Sequence, residues 1–206
     1  LQLVALLNFF FSKRKFLDTM AAMTRLHEEQ AEWADAPVEW AEAEPKSTDS
    51  GADIMTDWDL TLMGPVRAHG GGAVFFVCAR RGLLLLTLLL SAPLTSRAQE
   101  DTPYADGVFM VNIKFPMDYP TRHPDVKFST KVWHPSVNAD GSTCIPEIKE
   151  DWTISMRIMD IARILVELLR NPNPESPVNA EAGAQLAANP DDFNAQAAQW
   201  TADFAQ

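Results

Sequence analysis

Trp133 to Trp152 reads W-H-P-S-V-N-A-D-G-S-T-C-I-P-E-I-K-E-D-W and holds one of only two cysteines in 206 residues. Cys144 follows a turn-forming Asn138-Ala139-Asp140-Gly141 run and stands two residues ahead of Pro146. Pro135, Gly141 and Pro146 mark the segment as irregular backbone. A cysteine kept only for packing belongs inside an apolar periodic element. Cys144 is therefore a candidate reactive thiol presented at the surface, set against the plainer reading of a small, half-buried hydrophobe.

On either side of this segment the hydrophobic period changes. Upstream, Trp58, Leu60 and Leu62 alternate with Asp57, Asp59 and Thr61, and Phe109, Val111, Ile113 and Phe115 alternate with Met110, Asn112 and Lys114. Period two with one apolar face predicts half-buried strands. Val38 to Ala43 is a weaker strand candidate, Lys46 to Ala52 reads as a polar loop, and Asp125 to Thr130 supplies a fourth strand through Val126 and Phe128. Together they predict an antiparallel meander buried on one face.

Further out the period is helical. Met20, Met23, Leu26 and Trp33 predict a helix from Asp18 to about Asp35, with Glu28, Glu29 and Glu32 on other faces and Pro37 as its stop. Ile158, Ile161, Leu165 and Leu168 mark a core-facing stripe that Asn171-Pro172 ends. Asn179 caps a short helix reaching Ala188. Asn189-Pro190-Asp191-Asp192 joins a cap, a proline at the first helical position and acids at the positive end of the dipole. Phe193, Ala197, Trp200 and Phe204 then form an apolar face expected to pack on the core. Strands grouped between helices, with no strict alternation, define an α+β domain: an N-terminal helix, a four-stranded meander, the cysteine loop and C-terminal helices.

Composition bounds the function. With 47% hydrophobic and 22% charged residues the usage is ordinarily globular, and the net charge of -11 disfavours nucleic acid or an anionic membrane surface. Two dissimilar cysteines form no disulfide framework, which points to a reducing compartment, cytoplasmic or nuclear. The four histidines, His27, His69, His123 and His134, are scattered and none pairs at ligand spacing, and no Gly-rich phosphate loop appears, so no metal or organic cofactor is expected. Leu1 to Phe11 is apolar and is followed by Ser12-Lys13-Arg14-Lys15, the reverse of a secretory signal and too short to span a bilayer. A short interfacial anchor is the lesser reading, and 1–19 is expected to lie outside a working domain over 20–206. The Leu1 start points to a chain that begins inside a translated frame.

The order of motifs resembles the ubiquitin-conjugating enzyme family. His134-Pro135 is followed by a short polar residue, a cysteine lies eight positions after that residue, and a tryptophan eight after the cysteine. Gly64-Pro65, Thr102-Pro103-Tyr104, Gly107-Val108-Phe109 and Phe115-Pro116-Met117-Asp118-Tyr119-Pro120 match upstream in order, and Asn171-Pro172-Asn173-Pro174-Glu175-Ser176-Pro177-Val178-Asn179 matches downstream. The resemblance implies acyl relay: Cys144 takes ubiquitin as a thioester from an activating enzyme and yields it to a ligase cysteine or a substrate lysine.

The same resemblance assigns the other residues. His134 and Pro135 organise the loop. Ser136 stands where the family has an asparagine credited with oxyanion stabilisation, and a serine hydroxyl can donate but reaches less far. Asn138 is a substitute donor, though its turn position more simply implies a backbone role. Pro146 and Ser176 occupy places where the common pattern has acids that orient or deprotonate an incoming lysine, and proline at the first of these accompanies transfer to ligase cysteines. Arg25 matches the exposed basic helix face where the activating enzyme docks. Thr121, Arg122, Trp152, Thr153 and Ile154 fall on the ligase-docking loops, with Thr121 for a frequent aromatic and no proline after Trp152. Because Ser136 departs from the pattern, a noncatalytic binding module of the same fold is the first rival, and an enzyme for a ubiquitin-like modifier the second. A cysteine hydrolase is weak, since Cys144 has no histidine beyond the loop one.

The 34 residues from 66 to 99 interrupt a strand connection whose ends, once joined, restore the family's Gly-Pro and Thr-Pro-Tyr in one short turn. The insert has no acidic residue and carries Gly70-Gly71-Gly72, two central arginines and a leucine run. A membrane span is disfavoured by Arg80 and Arg81 at its centre. The favoured reading is a non-native insertion, such as a retained intron, that contributes little to the fold and exposes leucines.

Overall fold

A computed structural model describes residues 2–48, 53–64 and 102–206, with side chains from residue 16 onward. The 66–99 insertion lies outside the described residues. Helix α1 (Gln2–Asp35) leads into a sheet of β1 (Ala41–Ser47), β2 (Asp53–Met63), β3 (Val108–Lys114) and β4 (Asp125–Phe128), followed by α2 (Pro146–Lys149), α3 (Ile158–Arg170), α4 (Ala180–Ala188) and α5 (Pro190–Phe204). The sheet order is β1-β2-β3-β4 with every pair antiparallel, the expected meander. Among the described residues, no helix is long and apolar enough to cross a membrane.

The alternation expected from β2 and β3 is realised pair by pair. Trp58 lies opposite Ile113, Leu60 opposite Val111 and Leu62 opposite Phe109, and all six are buried. On the other face Asp57 lies opposite Lys114 and Asp59 opposite Asn112, with Lys46 Nζ 3.3 Å from Asp57 and 3.4 Å from Asp59. Directly opposed side chains share a face, so one register segregates core from solvent over the whole hairpin. Gly64 N–H donates to Gly107 O at 2.7 Å, extending this hairpin to the points where its long connection leaves and returns.

Several boundaries differ from the sequence reading. Helix α1 begins at Gln2, not near Asp18, so most of 1–19 is continuous with it. Its buried stripe is Ala22, Leu26, Glu29 and Trp33, which puts Met20, about 160° around the helix from Ala22, in solvent at 51% exposure. Strand β1 runs over Ala41–Ser47 and not Val38 to Ala43, so Lys46 and Ser47 are strand and not loop; Val38 reaches only a single pairing with Ala41. Strand β4 stops at Phe128, because Ser129 and Thr130 turn their N–H groups to Met110 O. In α3 the stripe closes on Leu169, with Leu168 at its half-buried edge. Phe204 is exposed: it sits in the last turn of α5, edge-on to Trp200 at 5.5 Å and under Lys131.

Glu29, expected on an outer face, is the largest departure. It is 3% exposed and satisfied on both oxygens. Oε1 accepts from Arg25 Nε at 2.5 Å and from Tyr119 Oη at 2.7 Å, and Oε2 accepts from the first N–H of α3, that of Ile158, at 2.8 Å. One carboxylate thereby fastens α1, the Tyr119 loop and the α3 N-terminus, where the helix dipole also favours it. Burial, reinforced by the Glu29 charge, pushes the Tyr119 hydroxyl well above its ordinary range. Replacing Glu29 with Ala leaves Arg25, Tyr119 and an α3 N–H without their acceptor and is expected to cost about 3 kcal/mol in denaturant unfolding, with Glu29→Gln losing less. An unchanged midpoint for Glu29→Ala would refute the role.

Candidate active site

The segment from Trp133 to Cys144 is fixed from inside. Tyr104, buried against the His134 ring at 5.9 Å, donates its hydroxyl to Trp133 O at 2.6 Å. His134 is fully buried. Its Nδ1 accepts from Ser136 N–H at 2.9 Å, which leaves the proton on Nε2 to be donated to Leu168 O at 3.0 Å. Pro135 O accepts from both Val178 N at 3.0 Å and Asn179 N at 2.9 Å. The Asn-Pro loop and the His-Pro segment are thus joined backbone to backbone.

After His134 the chain makes a short antiparallel ribbon. Asn138 N donates to Ser142 O at 2.9 Å, Val137 faces Thr143, and Cys144 N donates to Ser136 O at 3.3 Å. Its tip requires Gly141, whose φ is +82° and where an added Cβ would lie 2.0 Å from Phe128 O. Alternation along the ribbon turns Val137 and Thr143 into the core and Ser136, Asn138, Ser142 and Cys144 outward. Cys144 is exposed and free. Ser136 stands directly across from it on the same face, at a spacing typical of opposed Cβ atoms, about 4.5–5.5 Å.

Among the described residues the Ser136 hydroxyl has no hydrogen-bond partner, whereas the Asn138 amide is committed to Ser142 Oγ at 3.0 Å. Ser142 Oγ in turn donates to Asp140 Oδ1 at 2.6 Å and its N–H to the same oxygen at 3.0 Å, which holds the Asp140 carboxyl below its usual range. Asn138 therefore closes the turn. Pro146 is the first residue of α2, a helix absent from the sequence reading, and is exposed beside buried Ile145 and Ile148. Ser176 is exposed with φ +54°, a left-handed conformation unusual for serine, behind an Asn173 turn in which Oδ1 accepts from Glu175 N at 2.9 Å.

The proposed partner-binding residues fall around one tryptophan. Trp152 Nε1 donates to Pro120 O at 2.8 Å and its ring lies 6.0 Å from Tyr119. This ties the loop carrying Thr121 and Arg122 to the one carrying Thr153 and Ile154. Arg122 pairs with Asp118 at 3.3 Å, Thr153 meets Ser155 at 2.9 Å, and Ile154 is 67% exposed. Arg25 does not stand free on a basic face: its side chain is 19% exposed, turned in to Glu29 and, through Nη2, to Met156 O at 3.3 Å. Of the groups the sequence reading missed, Tyr104 lay inside a quoted motif. Glu29 stands at helical spacing between Leu26 and Trp33 but its charge reads as surface, and Lys149, whose Nζ donates to Thr143 O at 2.9 Å, carried no periodic signal.

The family model for ubiquitin-conjugating enzymes matches residues 89–201, more than half of the 206 residues, and the chain belongs to that family. The match runs from inside the 66–99 stretch through β3 and the whole Cys144 segment and ends within α5. The α+β arrangement with four antiparallel strands agrees with it.

Burial lowers the His134 pKa from its ordinary 6.5 to about 4, against the small opposing pull of Leu168 O. Below pH 6.5 the unfolded chain takes up a proton that the folded protein refuses. The contribution of this ring to stability is therefore whole above pH 6.5 and is lost between 6.5 and 4, amounting to about 3 kcal/mol. In an NMR titration the His134 ring resonances are expected to hold their neutral positions until near pH 4. A midpoint near 6.5 would contradict the buried neutral ring.

Proposed function

We propose that this chain accepts ubiquitin from an activating enzyme as a thioester on Cys144 and passes it to a ligase cysteine or a substrate lysine. The observation that carries the reading is the exposed Cys144 thiol set across a hydrogen-bonded ribbon from Ser136, whose hydroxyl has no partner among the described residues. In loading, Cys144 Sγ as thiolate attacks the thioester carbonyl, the new C–S bond forms, and the activating enzyme's thiolate leaves. In discharge, a second thiolate or an amine attacks the same carbon, Cys144 Sγ leaves with the bonding pair, and an attacking amine gives up its proton. Each step passes through an oxyanion, and Ser136 is the side-chain donor best placed to meet it. Thr121, Arg122, Trp152, Thr153 and Ile154 serve as the ligase surface. The acyl relay calls on no cofactor of the chain's own, and the need for a free Cys144 thiol suits a reducing compartment, cytoplasm or nucleus.

Incubation with activating enzyme, ATP and individual modifiers is expected to give a reductant-sensitive adduct, converted by Cys144→Ser to a reductant-resistant oxyester. The modifier that loads, ubiquitin or a ubiquitin-like protein, defines the substrate. A form lacking 66–99 is expected to load equally, because the hairpin around Gly64 and Gly107 is closed by its own hydrogen bonds. A folded protein that loads with nothing would favour the noncatalytic binding module, a reading supported by serine where an amide is usual and by the commitment of Asn138 to Ser142.

With Pro146 and Ser176 in place of acids, discharge to free lysine is expected to lag behind discharge to a cysteine-using ligase. Pro146→Asp combined with Ser176→Asp should raise the lysine rate about 10-fold. Lysine discharge by the unaltered protein as fast as thiol discharge would dismiss this account.

A further inference from the structure

We infer that Lys149 is a positioning residue for Cys144, an inference that rests on Cys144 as the acyl carrier. The Thr143–Cys144 peptide is gripped at both polar atoms. Its N–H donates to Ser136 O at 3.3 Å, and its C=O accepts from Lys149 Nζ at 2.9 Å. The second bond is charge-assisted and the stronger kind, and polarising the carbonyl also strengthens the N–H bond at the peptide's other end.

Local structure makes the contact possible. Pro146 starts α2 with its φ already helical, Ile148 N and Lys149 N both donate to Ile145 O at 3.1 Å, and buried Ile148 anchors the turn. Lys149, the last residue of that turn, is thereby aimed back along the helix toward Thr143. The peptide on the far side of Val137 needs no such clamp, since Asn138, Asp140 and Ser142 already lock the ribbon tip. The open end carrying Cys144 is different. Ser136 N–H, which would complete the pairing by donating to Cys144 O, is drawn off to His134 Nδ1. Lys149 supplies from the C-terminal side the restraint that His134 withdraws from the N-terminal side. Its effect falls on the orientation of the thiol, where a displacement of about 1 Å can cost 10²-fold in rate.

The test compares Lys149→Met and Lys149→Arg in the full chain. In Lys149→Met the Cys144 amide is expected to exchange with solvent about 10-fold faster, while Lys149→Arg, which keeps a charged donor, exchanges as the unaltered protein does. In single-turnover loading from charged activating enzyme, Lys149→Met is expected to lose about 10-fold in first-order rate at constant KM, and Lys149→Arg to recover it. Unchanged Cys144 amide exchange in Lys149→Met, or a rate loss that Lys149→Arg does not recover, overturns the inference. An unaltered protein that never loads refutes the proposed function, and amide exchange then still decides whether Lys149 holds the peptide.

Discussion

The loop that presents Cys144 depends on a neutral imidazole held in the core. The C=O of Leu168 lies in the last turn of α3, where carbonyls lack an intrahelical partner, and the N–H of Ser136 is diverted from the ribbon that would otherwise use it. His134 satisfies both, Nε2–H to the one and Nδ1 to the other. Either group left buried and unpaired would cost about 1–3 kcal/mol. Because one ring nitrogen must donate and the other accept, a protonated ring would present two donors and lose the Ser136 bond. The local geometry therefore excludes the charged form for the same reason that burial does, and it leaves His134 no proton to exchange with Cys144.

Glu29 solves a comparable problem at the other end of the domain by the opposite means. There the buried group only accepts, taking hydrogen bonds from Arg25, Tyr119 and the first N–H of α3. Between these two points runs α3, fastened by Glu29 at its first residue and by His134 near its last. The exposed loops around Trp152 and around Cys144 are thus referred to one rigid rod. Arg25 also reaches Met156 O, just ahead of α3, and Leu168 in the last turn of α3 supplies the carbonyl that holds His134.

What the sequence disclosed and what it hid divide along this line. Strands β2 and β3 were legible because each buries one face, and α4 and α5 because Asn179 and Asn189 cap them with side-chain acceptors, as found. The cysteine loop was legible from its proline and glycine punctuation. Hidden were the residues whose environment is made by distant chain. Glu29 looks like its neighbours Glu28 and Glu32, yet it alone lies within the stripe of Ala22, Leu26 and Trp33, and only Tyr119 and Ile158 give it reason to be there. Arg25 looked exposed for the same reason. The Ser136–Cys144 pairing escaped notice because a ribbon so short shows no period, and Ser129 and Thr130 extend the apparent fourth strand only by composition.

The position of Cys144 has a further physical consequence. Its backbone is pinned at the N–H, and its side chain points away from Val137 and Thr143, the two ribbon residues that enter the core. An exposed side chain outside the core can carry a much larger group without loss of core packing. Ile145 and Ile148, on either side of Pro146, supply the burial that the segment needs, so rigidity and exposure are assigned to different residues within five positions. This separation suits the acyl-carrier role proposed for Cys144. Were Cys144 itself part of the core, any group attached to its thiol would disrupt the structure that orients it.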